Sequence, residues 1–365
     1  MMREHDRDLP PEVVVAAPSA ILVDASGLAG FSYSCRPQCG LCCYAEPLVS
    51  PAEKPTLLRL VPEAEFVVRG RHEFVRSNPA GGACRLLAGD RCRAHAARPS
   101  PCREFPLFGH IGTRVQATVV LTCPGVDISA LREYRDARDA GEPQGFRPEL
   151  GALLARVDSG VRSQLDGSER RRLRLVRLLQ REGRWEDEEV VRRRLRQSIP
   201  MPKAGEYPTE DPPSPKEGLE RLPICHVGRR GPVAFARGGA GWELLELRPT
   251  GGVERSLGSA VPPSDPPKLA ADAVRTLEGY LRYWLGRDQL FGTVHLAMRE
   301  EGSGTVTESI AQELRRIGAL TVSRAAVLSS LLRGSANPLT ADDVVQGIRA
   351  TDQDLLDRDG WGSRL

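Results

Sequence analysis

The chain has 365 residues, with 51 Lys and Arg against 48 Asp and Glu, a net charge of +3, 40% apolar and 5% aromatic residues. This charge balance gives no support for nucleic-acid binding, and the length exceeds that of a single domain, so we expect two or three units. Only four of the basic residues are lysines. No apolar run approaches the roughly 18 residues that would span a membrane, and the charged N-terminal residues are not a secretory signal. We therefore expect a cytoplasmic protein without membrane association, in which structural disulfides are improbable.

Cysteines dominate the first third of the chain. Eight of the nine fall between positions 35 and 123, and four of those fall within nine consecutive residues. The eight are Cys35, Cys39, Cys42, Cys43, Cys84, Cys92, Cys102 and Cys123. In a reducing compartment this clustering predicts metal ligation first, with redox pairs or free buried thiols as the alternatives.

The spacing of the first four cysteines suits thiolate coordination. Two residues between Cys39 and Cys42 allow a tight turn to present both sulfurs to one centre, and Gly40 supplies the backbone freedom. Adjacent side chains diverge unless the backbone bends sharply. We therefore expect Cys42 and Cys43 to serve different centres, or one of them to remain a free thiol.

The second group of cysteines lies among prolines and arginines. Arg98 and Arg103 flank Cys102 and either offset thiolate charge or lie on the surface. Alternating apolar residues from Val115 predict a strand that delivers Cys123 inward. Ser50 to Glu53 reads as a capping box that opens a short helix. The histidines of this stretch, His72, His95 and His110, could replace a cysteine, but eight thiolates already complete two four-ligand shells.

The chain becomes helical after Asp127. We predict helices over 127–134, 150–161 and 168–199, the last divided at Gly183. From Arg170 to Arg196 there are 11 arginines against five acidic residues, which indicates a solvated face rather than a nucleic-acid site.

Six prolines between positions 200 and 218 indicate a linker. Two or three short antiparallel strands are predicted at 224–227, 233–236 and 242–247, with Cys225 as a buried free cysteine rather than a ligand. Three helices follow: from Lys268 to Met298, from Val306 to Gly334 with a break at Gly318, and from a cap at Thr340. The aromatic residues Tyr280, Tyr283, Trp284 and Phe291 are interpreted as core.

The segment from Phe31 to Pro124 resembles the YkgJ-like cysteine-cluster family, whose domain is described as zinc- or iron-chelating. The motifs that carry the resemblance are Cys35-x3-Cys39-Gly40-x-Cys42-Cys43, Cys84 through Cys92, and Arg98-Pro99-x2-Cys102-Arg103-x-Phe105-Pro106. Three residues separate the first two cysteines where the family usually has two. The resemblance implies metal binding through the eight cysteines. The family includes flagellin lysine N-methylases, which look like iron-sulfur enzymes that modify lysines on another protein, and 277–287 is similar to their C-terminal portion.

An iron-sulfur centre is favoured over zinc because only one Cys-x2-Cys pair is present, where structural zinc modules usually have two. Cys35, Cys39 and Cys42 also match the spacing of radical S-adenosylmethionine enzymes, but the repeated strand-helix units of that fold do not follow. The alternative to a redox or protein-modifying enzyme is a zinc-binding structural or interaction module. The sequence identifies no catalytic residue, reaction or substrate.

We therefore predict an α+β, mainly helical fold, in which an irregular Cys-rich region with a few short strands precedes a helical region with a small antiparallel β insertion. The expected division is a metal-binding domain at 1–126, a helical region at 127–199, a linker at 200–218, a β segment at 219–261 and a helical region at 262–365. The expected partners are a metal ion or cluster and a protein substrate.

Overall fold

The protein was analysed as a computed structural model. It describes residues 14–364, except for 18, 37–38, 45, 71, 78–82, 90, 138–139, 205, 207–211, 213, 216–221, 228–230, 240, 249–251, 264–265, 302, 335–337 and 357–362. The charged N-terminal octapeptide and much of the predicted linker therefore lie outside the described residues. The division into domains stays a prediction.

The described residues form an α+β structure that is mainly helical. The helices are α1 (Lys54–Leu60), α2 (Ser100–Glu104), α3 (Arg147–Arg156), α4 (Ser159–Arg181), α5 (Glu188–Gln197), α6 (Ala271–Leu285), α7 (Asp288–Glu301), α8 (Val306–Arg333) and α9 (Ala341–Leu356). The strands are β1 (Val14–Ala16), β2 (Leu22–Gly27), β3 (Ser32–Tyr33), β4 (Leu48–Val49), β5 (Phe66–Arg69), β6 (His72–Val75), β7 (Leu87–Ala88), β8 (Arg91–Cys92), β9 (Leu107–Ile111), β10 (Val115–Val119), β11 (Val126–Asp127), β12 (Ile224–His226), β13 (Pro232–Gly238), β14 (Gly241–Leu247), β15 (Val253–Ala260) and β16 (Ser363–Arg364). None of the helices in these described ranges is both long and apolar enough to cross a membrane.

The largest core surrounds a sheet with the strand order β1-β2-β10-β9-β16. All five residues of β10 are buried, and β10 pairs with β2 in parallel and with β9 antiparallel. The strand predicted from Val115 is confirmed, but it ends at Val119 and Cys123 lies in the turn beyond it. The same core contains residues from Ala17 to Leu356, so the N-terminal strands and the C-terminal helices share one apolar interior.

Asp352 connects α9 to this sheet and to α6 through hydrogen bonds. Its carboxylate accepts hydrogen bonds from the Leu121 backbone N–H at 2.7 Å, the Tyr280 hydroxyl at 3.2 Å and the Trp284 indole at 3.1 Å. Arg287 pairs with it at 3.1 Å. The ionised carboxylate is stable in the core because hydrogen-bond donors satisfy both of its oxygens. The chain after β10 is therefore held in place by the C-terminal helices.

The second sheet is an antiparallel meander of β12, β13, β14 and β15. The first three strands are as predicted. The fourth was missed because its sequence has no clean apolar alternation, and its first four residues are exposed. One face of this sheet packs against α8 and α9. Its other face packs against Tyr44, Ala83 and Leu87 of the cysteine-rich segment.

The remaining helix predictions are confirmed in part. Gly183 divides α4 from α5 with a φ of 70°. Thr340 caps α9, because its Oγ1 accepts the Asp343 backbone N–H at 3.4 Å, and the Asp343 carboxylate in turn accepts the Thr340 backbone N–H at 2.8 Å. The predicted break at Gly318 is wrong, because α8 continues through this residue. The glycine instead allows Pro202 to pack closely against the helix. The helix predicted from Lys268 to Met298 is two helices, α6 and α7, which are separated at Gly286.

The segment 127–134 is not an α-helix. Only Ser129–Arg132 form a short 3-10 turn, and β11 precedes it. Farther along, part of the basic stretch of α4 and α5 is neutralised by acidic side chains of the protein. Arg172 pairs with Glu188 at 3.0 Å and Arg192 pairs with Asp288 at 3.0 Å.

Candidate metal centre

The adjacent cysteines Cys42 and Cys43 lie in a 3-10 turn over Leu41–Cys43, which follows Gly40 at a φ of 61°. This turn bends the backbone sharply, and the two thiols hydrogen-bond to each other. The Cys42 sulfur accepts the Cys43 S–H, which lowers the pKa of Cys42 to about 7 and raises the pKa of Cys43. The sharp bend that would bring adjacent cysteines together is therefore present after Gly40, and the expectation that Cys42 and Cys43 serve different centres stays a prediction.

Five thiols form one neighbourhood, which we call the five-thiol group: Cys42, Cys43, Cys84, Cys92 and Cys102. The Cys84 backbone N–H donates to the Cys43 carbonyl at 2.6 Å, which joins the two cysteine-bearing segments. Burial, followed by the negative charges of Cys42, Cys84 and Cys92, raises the pKa of Cys102 well above its ordinary value. Burial also raises the pKa of Cys84 to about 12, with Cys92 and Cys42 adding to the shift. Thiolates repel one another in this way only when they lie close together.

An apolar shell supports the five-thiol group. Cys43 and Cys84 are buried in a small core with Leu57 of α1, and Cys42 and Cys92 pack against it. The reciprocal Ser50–Glu53 hydrogen bonds predicted as a capping box are present, with the Ser50 backbone N–H donating to the Glu53 carboxylate at 3.0 Å, but they close the turn before α1, whose N-cap is Glu53. This packing fixes the backbone that carries four of the thiols.

The other thiols, Cys35, Cys39 and Cys123, form what we call the three-thiol group, beside Tyr33 of β3. The phenol of Tyr33 hydrogen-bonds to Cys35, and its pKa is raised by burial and then by the charges of Cys35 and Cys123. Burial raises the pKa of Cys123 to about 12, and Cys39 and Cys42 contribute to that increase. Cys42 therefore lies within electrostatic reach of both groups.

Four of the sulfurs share a local geometry that sequence analysis did not anticipate. Each accepts a hydrogen bond from the backbone N–H two residues farther along the chain. These pairs are Cys39 with Leu41, Cys84 with Leu86, Cys92 with Ala94, and Cys123 with Gly125. Such N–H···S bonds favour the thiolate over the thiol, and they tune metal-bound sulfur in iron-sulfur proteins.

Arg98 and Arg349 supply positive charge to the thiols, alongside Arg36, which acts on Cys39, and Arg93, which acts on Cys92. Arg98 acts on Cys42, Cys92 and Cys102. Arg103, by contrast, pairs with Glu53 at 3.1 Å on the surface. Of the two arginines considered from the sequence, Arg98 is the one that faces the thiols.

The second arginine comes from α9, and no local signal pointed to it. The buried Arg349 donates to the carbonyl of Cys123, to that of Val126 at 2.9 Å and to that of Leu121 at 3.4 Å. Its guanidinium lies 226 positions from Cys123 in the sequence. The C-terminal helix thus completes the turn that carries this cysteine.

Other candidate residues lie elsewhere. His72 and His95 are exposed, and the buried His110 is close to Asp288 rather than to a thiol group. Cys225 is fully buried between its sheet and the C-terminal helices, as predicted. The aromatic set of α6 and α7 is also core, since Tyr280, Tyr283, Trp284 and Phe291 are all at most 2% exposed.

The side chains fit a thiophilic metal by their chemistry, although they are not closed around one. In the part of the chain that the structure describes, no three or more His, Cys, Asp or Glu side chains meet in an arrangement that could hold a metal ion. Nε of Arg98, whose charge acts on three of the thiols, is buried without a hydrogen-bond partner among the described residues. The site therefore has the features of a thiol-rich metal-chelating domain.

The comparison with known families agrees with this class. Residues 34–124 match the family CxxCxxCC, described as "Putative zinc- or iron-chelating domain". This segment is a domain of the cysteine-cluster family, and all eight predicted ligands lie within it. No curated protein and no solved structure matches the chain.

Proposed function

We propose that the eight cysteines hold an iron-sulfur centre and that the chain is a cytoplasmic redox or protein-modifying protein. The observation that carries the proposal is the position of Cys42. Its charge acts on Cys84, Cys92 and Cys102 of the five-thiol group and also on Cys39 and Cys123 of the three-thiol group. A thiol within electrostatic reach of both groups suits a polynuclear centre, whereas separate tetrahedral zinc sites need only four ligands each.

The chain's own residues have definable roles in this proposal. The eight sulfurs would bind the metal, and the backbone N–H groups at Leu41, Leu86, Ala94 and Gly125 would stabilise bound thiolates. Arg98 would offset part of their negative charge. An iron-sulfur centre supplies one-electron chemistry when bound. The support for a protein-modifying reaction is the resemblance to flagellin lysine N-methylases.

Anaerobic purification followed by absorption spectroscopy and metal analysis tests the nature of the centre. We expect a brown protein with a broad band near roughly 400 nm that bleaches reversibly on chemical reduction. Iron and acid-labile sulfide should be present together. A colourless protein with stoichiometric zinc would favour the alternative, a zinc-binding structural or interaction module, and would exclude the redox role.

Cys102→Ser tests the ligand assignment, with Cys225→Ala as the matched control. Cys225 is buried and Cys102 is partly buried, but only Cys102 lies with the other thiols. We expect Cys102→Ser to lose metal and solubility together because ligation and folding are coupled in such domains. The control should lose some stability through its cavity but keep its metal. Full metal content and an unchanged melting temperature in Cys102→Ser would show that this cysteine is no ligand.

A further inference from the structure

One side of α4 carries a row of exposed arginines. Between positions 170 and 181 there are six arginines and no acidic residue. Four of them are exposed and follow one another at intervals of four, three and four residues, and we call them the arginine stripe: Arg170, Arg174, Arg177 and Arg181. With 3.6 residues per turn and a rise of about 1.5 Å per residue, this spacing places the four on one side of the helix, along about 16 Å of its length.

The arginine stripe differs from the rest of the basic region because acidic side chains of the protein do not neutralise it. Arg172, on another side of α4, pairs with Glu188 at 3.0 Å. Glu182, which follows α4, pairs with Arg184 at 2.9 Å. Among the described residues, no acidic side chain lies within ion-pair distance of an arginine of the stripe. The sequence does not show these partners and therefore could not separate the stripe from the neutralised arginines.

The opposite side of α4 holds the stripe in place. Leu175, Val176 and Leu179 are buried, and Leu179 belongs to the largest core. At the first half of the helix the Ser168 hydroxyl donates to the Ile111 carbonyl of β9 at 3.2 Å. Because the apolar side of α4 is already covered by the protein, this helix cannot insert that side into a lipid bilayer.

The surface beside the stripe offers polar groups only. Arg174, Arg177 and Arg181 line an open groove together with Gln180, and these are the side chains that line it in the described part of the chain. A protein–protein interface has an apolar core, whereas nucleic-acid interfaces are rich in arginine and amide donors. No aromatic residue lies between positions 170 and 181 on which an unpaired base could stack. These features favour the outer, phosphate-bearing surface of a duplex over a protein or a single strand.

We propose that the arginine stripe binds the phosphate backbone of a nucleic-acid duplex without reading its sequence. A guanidinium donates paired N–H bonds to phosphate oxygens, and a straight row of such groups complements the regular row of phosphates along a strand. The stripe lies outside the segment 34–124 that matches the cysteine-cluster family. It contains no thiol, so the proposal does not depend on metal binding.

Fluorescence anisotropy of the full-length protein with a labelled DNA duplex of about two helical turns tests the proposal. Each phosphate contact contributes about −0.9 to the slope of log affinity against log salt concentration, so four contacts predict a slope of about −3.6. The affinity should therefore fall about 150-fold between about 50 and 200 mM salt. Two duplexes of unrelated sequence should bind equally, because the contacts are to phosphates.

The double variant Arg174→Gln/Arg177→Gln removes half of the stripe, and Arg147→Gln/Arg275→Gln is the charge-matched control at exposed positions of α3 and α6. We expect the stripe variant to bind at least about 10-fold more weakly at low salt, with a slope shallower by about 1.8. The control should keep the wild-type slope. Because like charges repel along a helix, the stripe variant should melt at or above the wild-type temperature, which shows that lost binding is not unfolding.

Three results would overturn the proposal. One is equal weakening in the two double variants, which would show that only the net charge matters. Another is a wild type without affinity for either duplex at low salt. The third is tighter binding to polyglutamate, or to vesicles that contain phosphatidylserine, than to the duplexes, which would assign the stripe to an acidic protein or to a membrane surface instead.

Discussion

Arg349 offers the sharpest test of how the C-terminal helices support the candidate metal centre. Burial lowers its pKa to about 10, so the guanidinium remains charged at neutral pH. It donates to three carbonyls of the turn that contains Cys123, including that of Val126 at 2.9 Å. Replacing it with Met would remove this charged donor from all three carbonyls, while the Cys123 carbonyl would keep the Val126 backbone N–H at 3.1 Å.

The magnitude follows from those contacts. A hydrogen bond to a charged group contributes about 1.5 to 3 kcal/mol, and the contacts to Cys123 and Val126 are the close ones. Burying the guanidinium offsets part of this gain, and the Met side chain fills part of the space. We expect Arg349→Met to lower the free energy of unfolding by about 3 kcal/mol and to weaken metal binding through the displaced Cys123.

Urea unfolding and chelator competition measure the two effects, with Arg324→Met as the control. Arg324 is equally buried and pairs with Asp354 at 2.6 Å, but it does not contact the Cys123 turn. Its loss should destabilise the fold by a similar amount and leave the metal affinity of folded protein unchanged. If Arg349→Met weakens metal binding no more than this control does, the positioning role of Arg349 is refuted.

Two further predictions concern the fold. Gly279→Ala should lower the free energy of unfolding by more than about 2 kcal/mol, because the new Cβ would lie 1.7 Å from the Leu131 carbonyl oxygen. Gly151→Ala should instead raise the free energy of unfolding by about 0.5 to 1 kcal/mol, because the space around Gly151 is open. Denaturant titration checks both, and equal effects would contradict the packing argument. Burial, followed by the positive charges of Arg172 and Arg192, lowers the pKa of His295 to about 3. This pKa lies below the value of about 6.5 in the unfolded chain, so the stabilising effect of the neutral His295 is fully present above pH 6.5. The free energy of unfolding should therefore fall by about 3 kcal/mol by pH 4.5. His295→Phe should flatten that slope, and an unchanged slope would show that other groups cause it.

Much of the architecture was accessible from local patterns. The cap at Thr340, the divide at Gly183 and the three strands from Ile224 depend on side chains and backbone preferences within a few residues. Predictions failed where distant contacts decide the outcome. Glycine normally interrupts a helix, but Gly318 instead leaves room for Pro202 to pack against α8. The exposed edge strand β15 is extended because it pairs with β14.

The candidate site shows the same division. Eight cysteines in one short stretch, with their spacing and flanking prolines, indicated metal chelation, because thiol chemistry depends on residue type and local turns. Whether Cys42 and Cys43 diverge depended on the bend after Gly40, and Arg103 and Arg98 could not be told apart without their partners. The contribution of α9, through Arg349, could not be predicted from the cysteine-rich segment.

The sequence by itself determined the class of chemistry, the identity of the candidate ligands and most of the helices, since these depend on which residues are present and on their neighbours along the chain. Only the tertiary structure decided which thiols share a neighbourhood and that Arg349 donates to the carbonyl of Cys123. The physical reason is that hydrogen bonds, charge and burial act over a few ångströms in space, and folding alone brings residues more than 200 positions apart within that distance.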